Sequence, residues 1–160
     1  MGFQGLFKCL LMIEGLFTMN ITLIPLKPID SDLTDLVKIH SSSSVAKYIS
    51  ISDSYFEYVT SSKGVTYYKI IADGILVGGI HCEINNGKMC FSVCIDESYR
   101  RRGIAETAIR KLLLMFSNDV KDIEVNVENT NTPSLSLFKK LGFAIIGEED
   151  ELIKCRLQLH

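Results

Sequence analysis

The sequence predicts one α+β domain with a mixed, mostly antiparallel sheet of six to seven strands, flanked by about four helices. Its 160 residues are the size of one compact domain. Two turn signals, Asp73-Gly74 and Asn86-Gly87, separate three apolar segments in the middle of the chain, as in an antiparallel meander. Beyond residue 103, segments with helical periodicity alternate with strand-like ones. Together these features indicate strands and helices combined in one layered domain.

Each predicted strand is a short segment of apolar residues that ends at a turn or breaker residue. Pro25, for example, ends the first of them because proline cannot continue a central strand. The predicted strands are residues 20–26, 65–71, 75–83, 88–96, 122–127, 144–147 and 152–159.

The predicted helices begin at polar capping residues and repeat apolar residues every three to four positions. The last two cover residues 104–117 and 133–141. A run of four serines, residues 41–44, is expected to form a loop after the first helix. The expected caps and stops are, in chain order, Asp30 or Ser31, Ser52, Thr132 and Gly142.

The composition excludes several classes of protein. Hydrophobic residues make up 47% of the chain and charged residues 22%, so the chain is not intrinsically disordered. The net charge of −2 offers no general attraction to nucleic acid or an anionic membrane, so we expect neither as a partner. Five cysteines without a C-x-x-C pair suit a reducing compartment such as the cytoplasm, and no metal site is expected.

Residues 1–18 are expected to be a peripheral extension, and residues 19–160 the functional domain. The extension is apolar, but Lys8 and Glu14 interrupt it, so its longest unbroken apolar run is too short to span a bilayer. It also lacks the features of a signal peptide. If ordered, it would form an amphipathic helix that seeks an apolar partner surface, which would favour a homodimer.

The strongest candidate for a binding site is the segment Tyr99-Arg-Arg-Arg-Gly-Ile-Ala105, between a predicted strand and a predicted helix. Three arginines before a helix N-terminus repel one another and the positive end of the helix dipole. A bound polyphosphate would reverse both effects, because amides and guanidinium groups would converge on it while Gly103 allows close approach. The alternative is a solvated basic turn. The segment has the pattern [RQ]-x-x-G-x-[GA] and lacks the P-loop and dinucleotide-binding patterns.

A second motif runs from Asn131 to Phe143, with Ser134, Phe138, Lys140 and Gly142 at defined positions. It resembles the N-x-x-[AS]-x-x-x-[YF]-x-[KR]-x-G-F segment of the GNAT superfamily of acetyl-CoA-dependent N-acetyltransferases. The two motifs occur in the order typical of that superfamily, and the resemblance covers about residue 20 to the C-terminus. The N-x-x-S form is most similar to the RimJ/RimL branch, which acetylates protein N-termini.

The resemblance implies a GNAT-like sheet that splays between its fourth and fifth strands, with acetyl-CoA as the cosubstrate in the opening. The pyrophosphate would lie on the amides of residues 101–105, helped by arginine side chains. The pantetheine arm would pair with backbone near Cys94 and Ile95, and the amide of Ile95 would stabilise the oxyanion. The implied cofactor-binding residues are Cys94, Ile95, Arg100, Arg101, Arg102, Gly103, Ile104, Ala105, Asn131, Ser134 and Phe138.

Two departures from the superfamily concern catalysis. Many members have a tyrosine where this chain has Phe138, which cannot protonate the departing thiolate. Ser134, one turn earlier, is the candidate substitute, or it only binds the cofactor. The usual strand glutamate is also missing, so Glu83, which shares a face with His81, is the candidate base. The alternative is that both are solvent-facing strand residues.

A site poor in bases favours an amine that is already partly neutral at pH 7, such as a protein N-terminus or a small-molecule amine of low pKa. Acetyl transfer to such an amine is therefore the favoured function. A catalytically silent domain that binds CoA as a sensor or interaction module is the alternative, and binding of RNA by the arginines is disfavoured. Tyr55, Phe56 and Tyr58 are expected to cover the acceptor cleft or cap the core. Cys90 and Cys94 are expected to be packing residues on one face of a strand.

Overall fold

The computed structural model describes residues 18–159, which form one sheet of seven strands together with five α-helices. The strands are β1 (Ile21–Pro25), β2 (Val65–Ala72), β3 (Ile75–Asn85), β4 (Lys88–Ile95), β5 (Asp122–Glu128), β6 (Ala144–Glu149) and β7 (Leu152–Gln158). The helices are α1 (Leu33–Ser41), α2 (Ser43–Ala46), α3 (Tyr55–Ser61), α4 (Ile104–Met115) and α5 (Thr132–Lys140). A 3₁₀ turn, Glu97–Tyr99, links β4 to the segment before α4. The extension expected at residues 1–18 lies outside the described residues except for Thr18.

The strand order β1-β2-β3-β4-β5-β7-β6 confirms the mixed, mostly antiparallel sheet. Every neighbouring pair is antiparallel except β4 and β5. Both hairpin turns lie where the sequence places them, because Asp73-Gly74 and Asn86-Gly87 all have the positive φ angles that such turns require. Within residues 18–159 no helix is long and apolar enough to cross a membrane.

Three local expectations about the first helices were wrong. The serine run is not a loop, because α1 extends to Ser41 and α2 begins at Ser43. The N-cap position of α1 is Asp32 rather than Asp30 or Ser31, and the third helix begins at Tyr55 rather than Ser52. At α1 the expected cap was wrong because of long-range interactions. Asp30 and Asp32 both form ion pairs with the buried Lys69 of β2, at 2.9 and 2.6 Å.

The two faces of the sheet have different coverings. We call the face under α1, α2 and α3 the front face, where Leu36 and Val59 pack on Tyr67 of β2. The back face lies under α4 and α5 and contains the main core, which includes Ile80 and Ile109. The side chains of a strand alternate between these two faces.

The sheet opens between β4 and β5. Parallel pairing joins only residues 88–90 to residues 122–124, and the remaining halves of the two strands diverge. This confirms the splay between the fourth and fifth strands.

Close approach of β3 to the end of β4 requires a glycine at residue 78. A Cβ there would lie 2.1 Å from the carbonyl oxygen of Cys94, which is backbone and cannot turn away. Gly147 in β6, in contrast, has open space around its Cβ position and no positive φ.

We therefore expect Gly78→Ala to lower the free energy of unfolding by about 2 kcal/mol or more, because β4 must shift to relieve the overlap. Gly147→Ala should change it by less than about 0.5 kcal/mol. Urea unfolding of both variants measures the difference. Equal stability of the two variants would contradict the close packing at this point.

Candidate functional site

The backbone of β4 offers hydrogen-bonding groups to the opening in the sheet. The amide of Asp96 donates to the carbonyl of Val77 in β3 at 2.8 Å, so the backbone groups of Asp96 point towards β3. Successive residues of a strand point to opposite sides, so the groups of Val93 and Ile95 point towards β5. Since β5 has diverged at that level, the amides of Val93 and Ile95 face the opening.

Cys94 is turned away from the opening. Its backbone lies opposite Gly79 of β3, and its thiol is buried on the front face between Ile39 and Val45. Next to Ile95, the backbone groups that face the opening are therefore those of Val93 rather than those of Cys94, and the sequence has no local signal for this one-residue difference. Burial raises the pKa of the Cys94 thiol, which disfavours a nucleophilic thiolate. Cys90 is exposed on the same face, so it is not the packing residue that was expected.

A turn at one end of the opening presents a row of amides. Arg101 and Gly103 have φ angles of 61° and 73°, and Gly103 is the N-cap of α4. Within residues 18–159, no acceptor takes the amide hydrogens of residues 101–106. Unpaired amides at a helix N-terminus attract anions, and a glycine lets a ligand approach the backbone closely.

The three arginines are not equivalent. Arg100 donates from Nε to the carbonyl of Ile95 at 3.1 Å and from Nη2 to Oγ of Ser44 at 3.2 Å. Arg102 donates to the carbonyl of Ser98 at 3.0 Å and lies over the ring of Tyr99. The side chain of Arg101 is exposed and has no partner among the described residues. Of the three expected phosphate ligands, Arg101 is therefore the one whose guanidinium is available.

The second motif shapes the start and the packing of α5. Asn131 is its N-cap and accepts a hydrogen bond from the amide of Ser134 at 3.3 Å, so Thr132 is not the cap that was expected. Phe138 is buried in the core beside the rings of Phe91 and Phe143. Ser134 is half-buried, one turn before Phe138.

Lys140, the basic residue of that motif, ties α5 to α4. Its Nζ lies 2.7 Å from Oε2 of Glu106, whose Oε1 also accepts from Arg110. The two helices on the back face are thus linked by an exposed ion-pair network through Lys140, Glu106 and Arg110.

A polar cluster on the front face joins α3 to β3. Glu83 Oε1 accepts from Nε2 of His81 at 2.9 Å and from the hydroxyl of Tyr58 at 3.1 Å. Because a carboxylate only accepts, Nε2 of His81 holds the proton, and Nδ1 accepts from the Tyr55 hydroxyl at 2.8 Å. Burial raises the pKa of Tyr55, which keeps that hydroxyl protonated. Within the described part of the chain, Glu83 Oε2 has no partner and is free for a ligand.

This cluster lies one strand away from the opening. Glu83 is opposite Cys90, the last residue of β4 that pairs with β5, and His81 is opposite Ser92, just beyond it. A groove of about 660 Å³ extends from Glu83 along the β3–β4 turn and is lined by Glu83, Asn85, Asn86, Gly87, Lys88, Cys90, Lys121 and Asp122. Across residues 18–159 no group of three or more His, Cys, Asp and Glu side chains is placed to hold a metal ion.

His40 of α1 lies beneath the cluster in an aromatic layer. Its Nε2 is 2.8 Å from the hydroxyl of Tyr67 and 3.6 Å from Sγ of Cys94, while its buried Nδ1 has no hydrogen-bond partner within residues 18–159. The rings of Tyr55 and Phe56 lie against it. Burial lowers the pKa of His40 from 6.5 to about 4, so the imidazole is neutral at pH 7.

This burial predicts a pH-dependent stability. Between pH 6.5 and about 4 the unfolded chain protonates His40 and the folded chain does not, so stability falls as the pH falls through this range. Lowering the pH from 7 to 5 should cost about 2 kcal/mol through His40 alone. His40→Gln, which cannot titrate, should show a correspondingly smaller loss in urea unfolding at the two pH values. The same loss in both proteins would contradict the assignment.

Comparisons with known proteins agree with this geometry. Residues 33–143 match the model of the Acetyltransferase (GNAT) family. The chain is 28% identical over 98 residues to an L-amino acid N-acetyltransferase, AaaT, of Escherichia coli, a match that covers 57% of this chain and 60% of that protein. It is 28% identical over 106 residues to an N-alpha-acetyltransferase of Saccharolobus solfataricus, with 56% and 64% covered. The matches thus span less than two thirds of these relatives.

Solved structures show the same fold at low identity. A domain from Methanocaldococcus jannaschii has a TM-score of 0.78 at 17% identity, covering 89% of this chain and 100% of that one. The Campylobacter jejuni N-acetyltransferase PseH, in complex with acetyl coenzyme A, has a TM-score of 0.69 at 15% identity, with 88% and 100% covered. The split sheet, the turn of unpaired amides and the family match over residues 33–143 lead to one conclusion: this chain belongs to the GNAT family of acetyltransferases.

Proposed function

We propose that this protein is an N-acetyltransferase that moves an acetyl group from acetyl-CoA to a primary amine. The observation that supports this best is the opening between β4 and β5, because backbone amides free to bind a ligand line one of its edges and also form the turn at its end. Acetyl-CoA combines an amide-rich arm with a diphosphate, so one elongated ligand matches both sets of amides. The Campylobacter jejuni relative in fold was solved with that molecule.

The chain's own residues have separate roles in holding the cosubstrate. The amides of residues 101–105 bind the diphosphate, with Arg101 as the available guanidinium. The amides of Val93 and Ile95 bind the arm and the thioester carbonyl. Ser134, half-buried at the start of α5, lies on the motif that the family uses for the same arm.

Glu83 is the proposed proton acceptor on the amine side. Its free Oε2 is available while His81 and Tyr58 hold Oε1, so the carboxylate has a fixed orientation. The amine nitrogen forms a bond to the carbonyl carbon as the carbon–sulfur bond breaks. Glu83 takes the proton from nitrogen, directly or through water, and releases it to solvent.

Ser134 is the proposed donor of a proton to the departing sulfur. Phe138 has no hydroxyl and its ring is buried among Phe91 and Phe143, so this position cannot serve as the acid. The same observation favours a second candidate function, a silent domain that binds CoA without turnover. A thiol of pKa about 8.5 is also a tolerable leaving group, so the reaction does not depend on a strong acid.

The acceptor is proposed to be an α-amine, of a protein N-terminus or of a small molecule, rather than a lysine side chain. Glu83 is the one carboxylate that the described front-face cluster offers, one strand away from the opening. An α-amino group of pKa near 7.8 is partly neutral at pH 7, whereas a lysine of pKa near 10.4 is almost fully protonated. Relatives named as an L-amino acid N-acetyltransferase and as an N-alpha-acetyltransferase are consistent with this class.

The test is acetyl-CoA consumption with matched acceptors at pH 7. A peptide with a free N-terminus and no lysine should react at least about tenfold faster than its N-blocked, lysine-containing counterpart, because more of its amine is neutral. Equal rates on both peptides would refute the α-amine preference. Binding of CoA without turnover on any amine would establish the silent-domain alternative, and no binding of CoA would refute both.

Glu83→Gln keeps the size of the side chain and removes the base. We expect kcat to fall about 10²-fold, with less loss at higher pH where the amine is already neutral. Glu57→Gln, an exposed glutamate on α3, is the matched control and should react normally. The proposed proton donor is tested in the same assay by Ser134→Ala, with Ser136→Ala on the same helix as the control. Normal kcat in Glu83→Gln would exclude it as the base.

A further inference from the structure

The serine run at residues 41–44 and the first arginine of the turn contact each other, although 56 residues separate them in sequence. Arg100 lies at the boundary between the 3₁₀ turn and the unpaired amides. Its guanidinium reaches back to two acceptors, the carbonyl oxygen of Ile95 at the end of β4 and Oγ of Ser44 in α2. Both acceptors are atoms of the protein itself.

The contact at Ile95 supplies a partner that the sheet lacks. The carbonyl and the amide of Ile95 both point towards the opening, where β5 has diverged and offers no ladder bond. The guanidinium therefore replaces the missing strand at this carbonyl. Because Arg100 is fixed at its other end by Ser44, it also fixes the direction in which the peptide groups at Ile95 point.

The contact at Ser44 continues into the front-face helices. Ser44 Oγ is 3.5 Å from Oγ of Ser42, which donates to the carbonyl of Ile39 in α1 at 2.7 Å. Ile39 and Val45 in turn cover Cys94, the neighbour of Ile95. A chain of hydrogen bonds and an apolar contact thus both connect the end of β4 to the junction between α1 and α2.

We propose that Arg100 is a positioning residue rather than a phosphate ligand: it holds the end of β4 against α2 so that the Ile95 amide is aimed at the thioester carbonyl. This rests on the proposed function. The serine run has a part in the same positioning role, because Ser44 accepts the hydrogen bond that holds the Arg100 guanidinium. Arg100 and Arg101 are then adjacent residues with different roles, the first in orienting the reacting group and the second in binding the diphosphate.

The experiment compares Arg100→Gln with Arg101→Gln, which removes the same charge one residue away. In Arg100→Gln, kcat should fall about 10- to 100-fold while KM for acetyl-CoA changes less than about threefold, because misplacement of the oxyanion donor affects the reaction more than binding. In Arg101→Gln, KM should rise and kcat should change little. Arg100→Lys should resemble Arg100→Gln, because an ammonium lacks the fork that reaches both acceptors.

Two further measurements do not depend on turnover. The ratio of the affinities for acetyl-CoA and CoA should shrink in Arg100→Gln alone, since only the acetylated form has a carbonyl for Ile95. Without ligand, the amides of residues 45–47 and of Asp96, which are hydrogen-bonded in the folded chain, should exchange hydrogen faster in Arg100→Gln and not in Arg101→Gln. Ser44→Ala should speed exchange at residues 45–47 only.

A rise in KM without a fall in kcat in Arg100→Gln would make it a phosphate ligand and overturn the proposal. Unchanged hydrogen exchange at both sites would overturn it as well. If the unsubstituted protein does not bind CoA, the proposed function fails, but the exchange comparison still decides whether Arg100 holds β4 against α2.

Discussion

The early separation of β4 from β5 is the constraint on which the rest of the structure depends. Only three residue pairs join these strands, so the outer half of β4 has peptide groups without a ladder partner. An unpaired buried peptide group costs about 1–3 kcal/mol, so such an opening persists only where other groups supply partners. The Arg100 guanidinium supplies one at Ile95. The amides of Val93 and Ile95 remain without a ladder partner, and the proposed function assigns them to the cosubstrate.

Side chains alternate along β3 and β4, so that apolar residues lie on one face of the sheet and polar residues on the other where the sheet opens. On the back face, Cys82 and Phe91 pair opposite each other in the main core. One residue away on the same strands, His81 and Ser92 pair on the front face, at the level where the sheet opens. A slip of one residue would bury the histidine and expose the phenylalanine. The meander turns, with their positive φ angles, fix this register and so determine which face of the sheet carries the polar side chains of His81 and Ser92.

Sequence reasoning succeeded where the determining chemistry was local and failed where it was distant. The two hairpin turns, the order of the strands along the chain and the turn before α4 all depend on neighbouring residues, and the structure has them in place. The cap of α1 was misplaced because Asp30 and Asp32 bind Lys69 of β2, more than 35 residues away. The hydrogen bond from Arg100 to Ser44 could not be predicted, because nothing in the sequence around Arg100 reveals a partner 56 positions away. That the amide of Val93 faces the opening could not be predicted, because the direction of a peptide group follows from the pairing of β3 with β4.

The orientation of the polar cluster depends on the aromatic layer below it. Tyr55 belongs to both: its ring packs on His40 and Phe56, and its hydroxyl binds Nδ1 of His81. That bond fixes the tautomer of His81, which in turn donates to Glu83 and leaves one carboxylate oxygen free. A neutral His40 is required here, because an imidazolium in this buried layer would have no counter-ion among its described neighbours. Tyr55 thus contacts the core histidine through its ring and, through its hydroxyl, the histidine that orients the surface carboxylate.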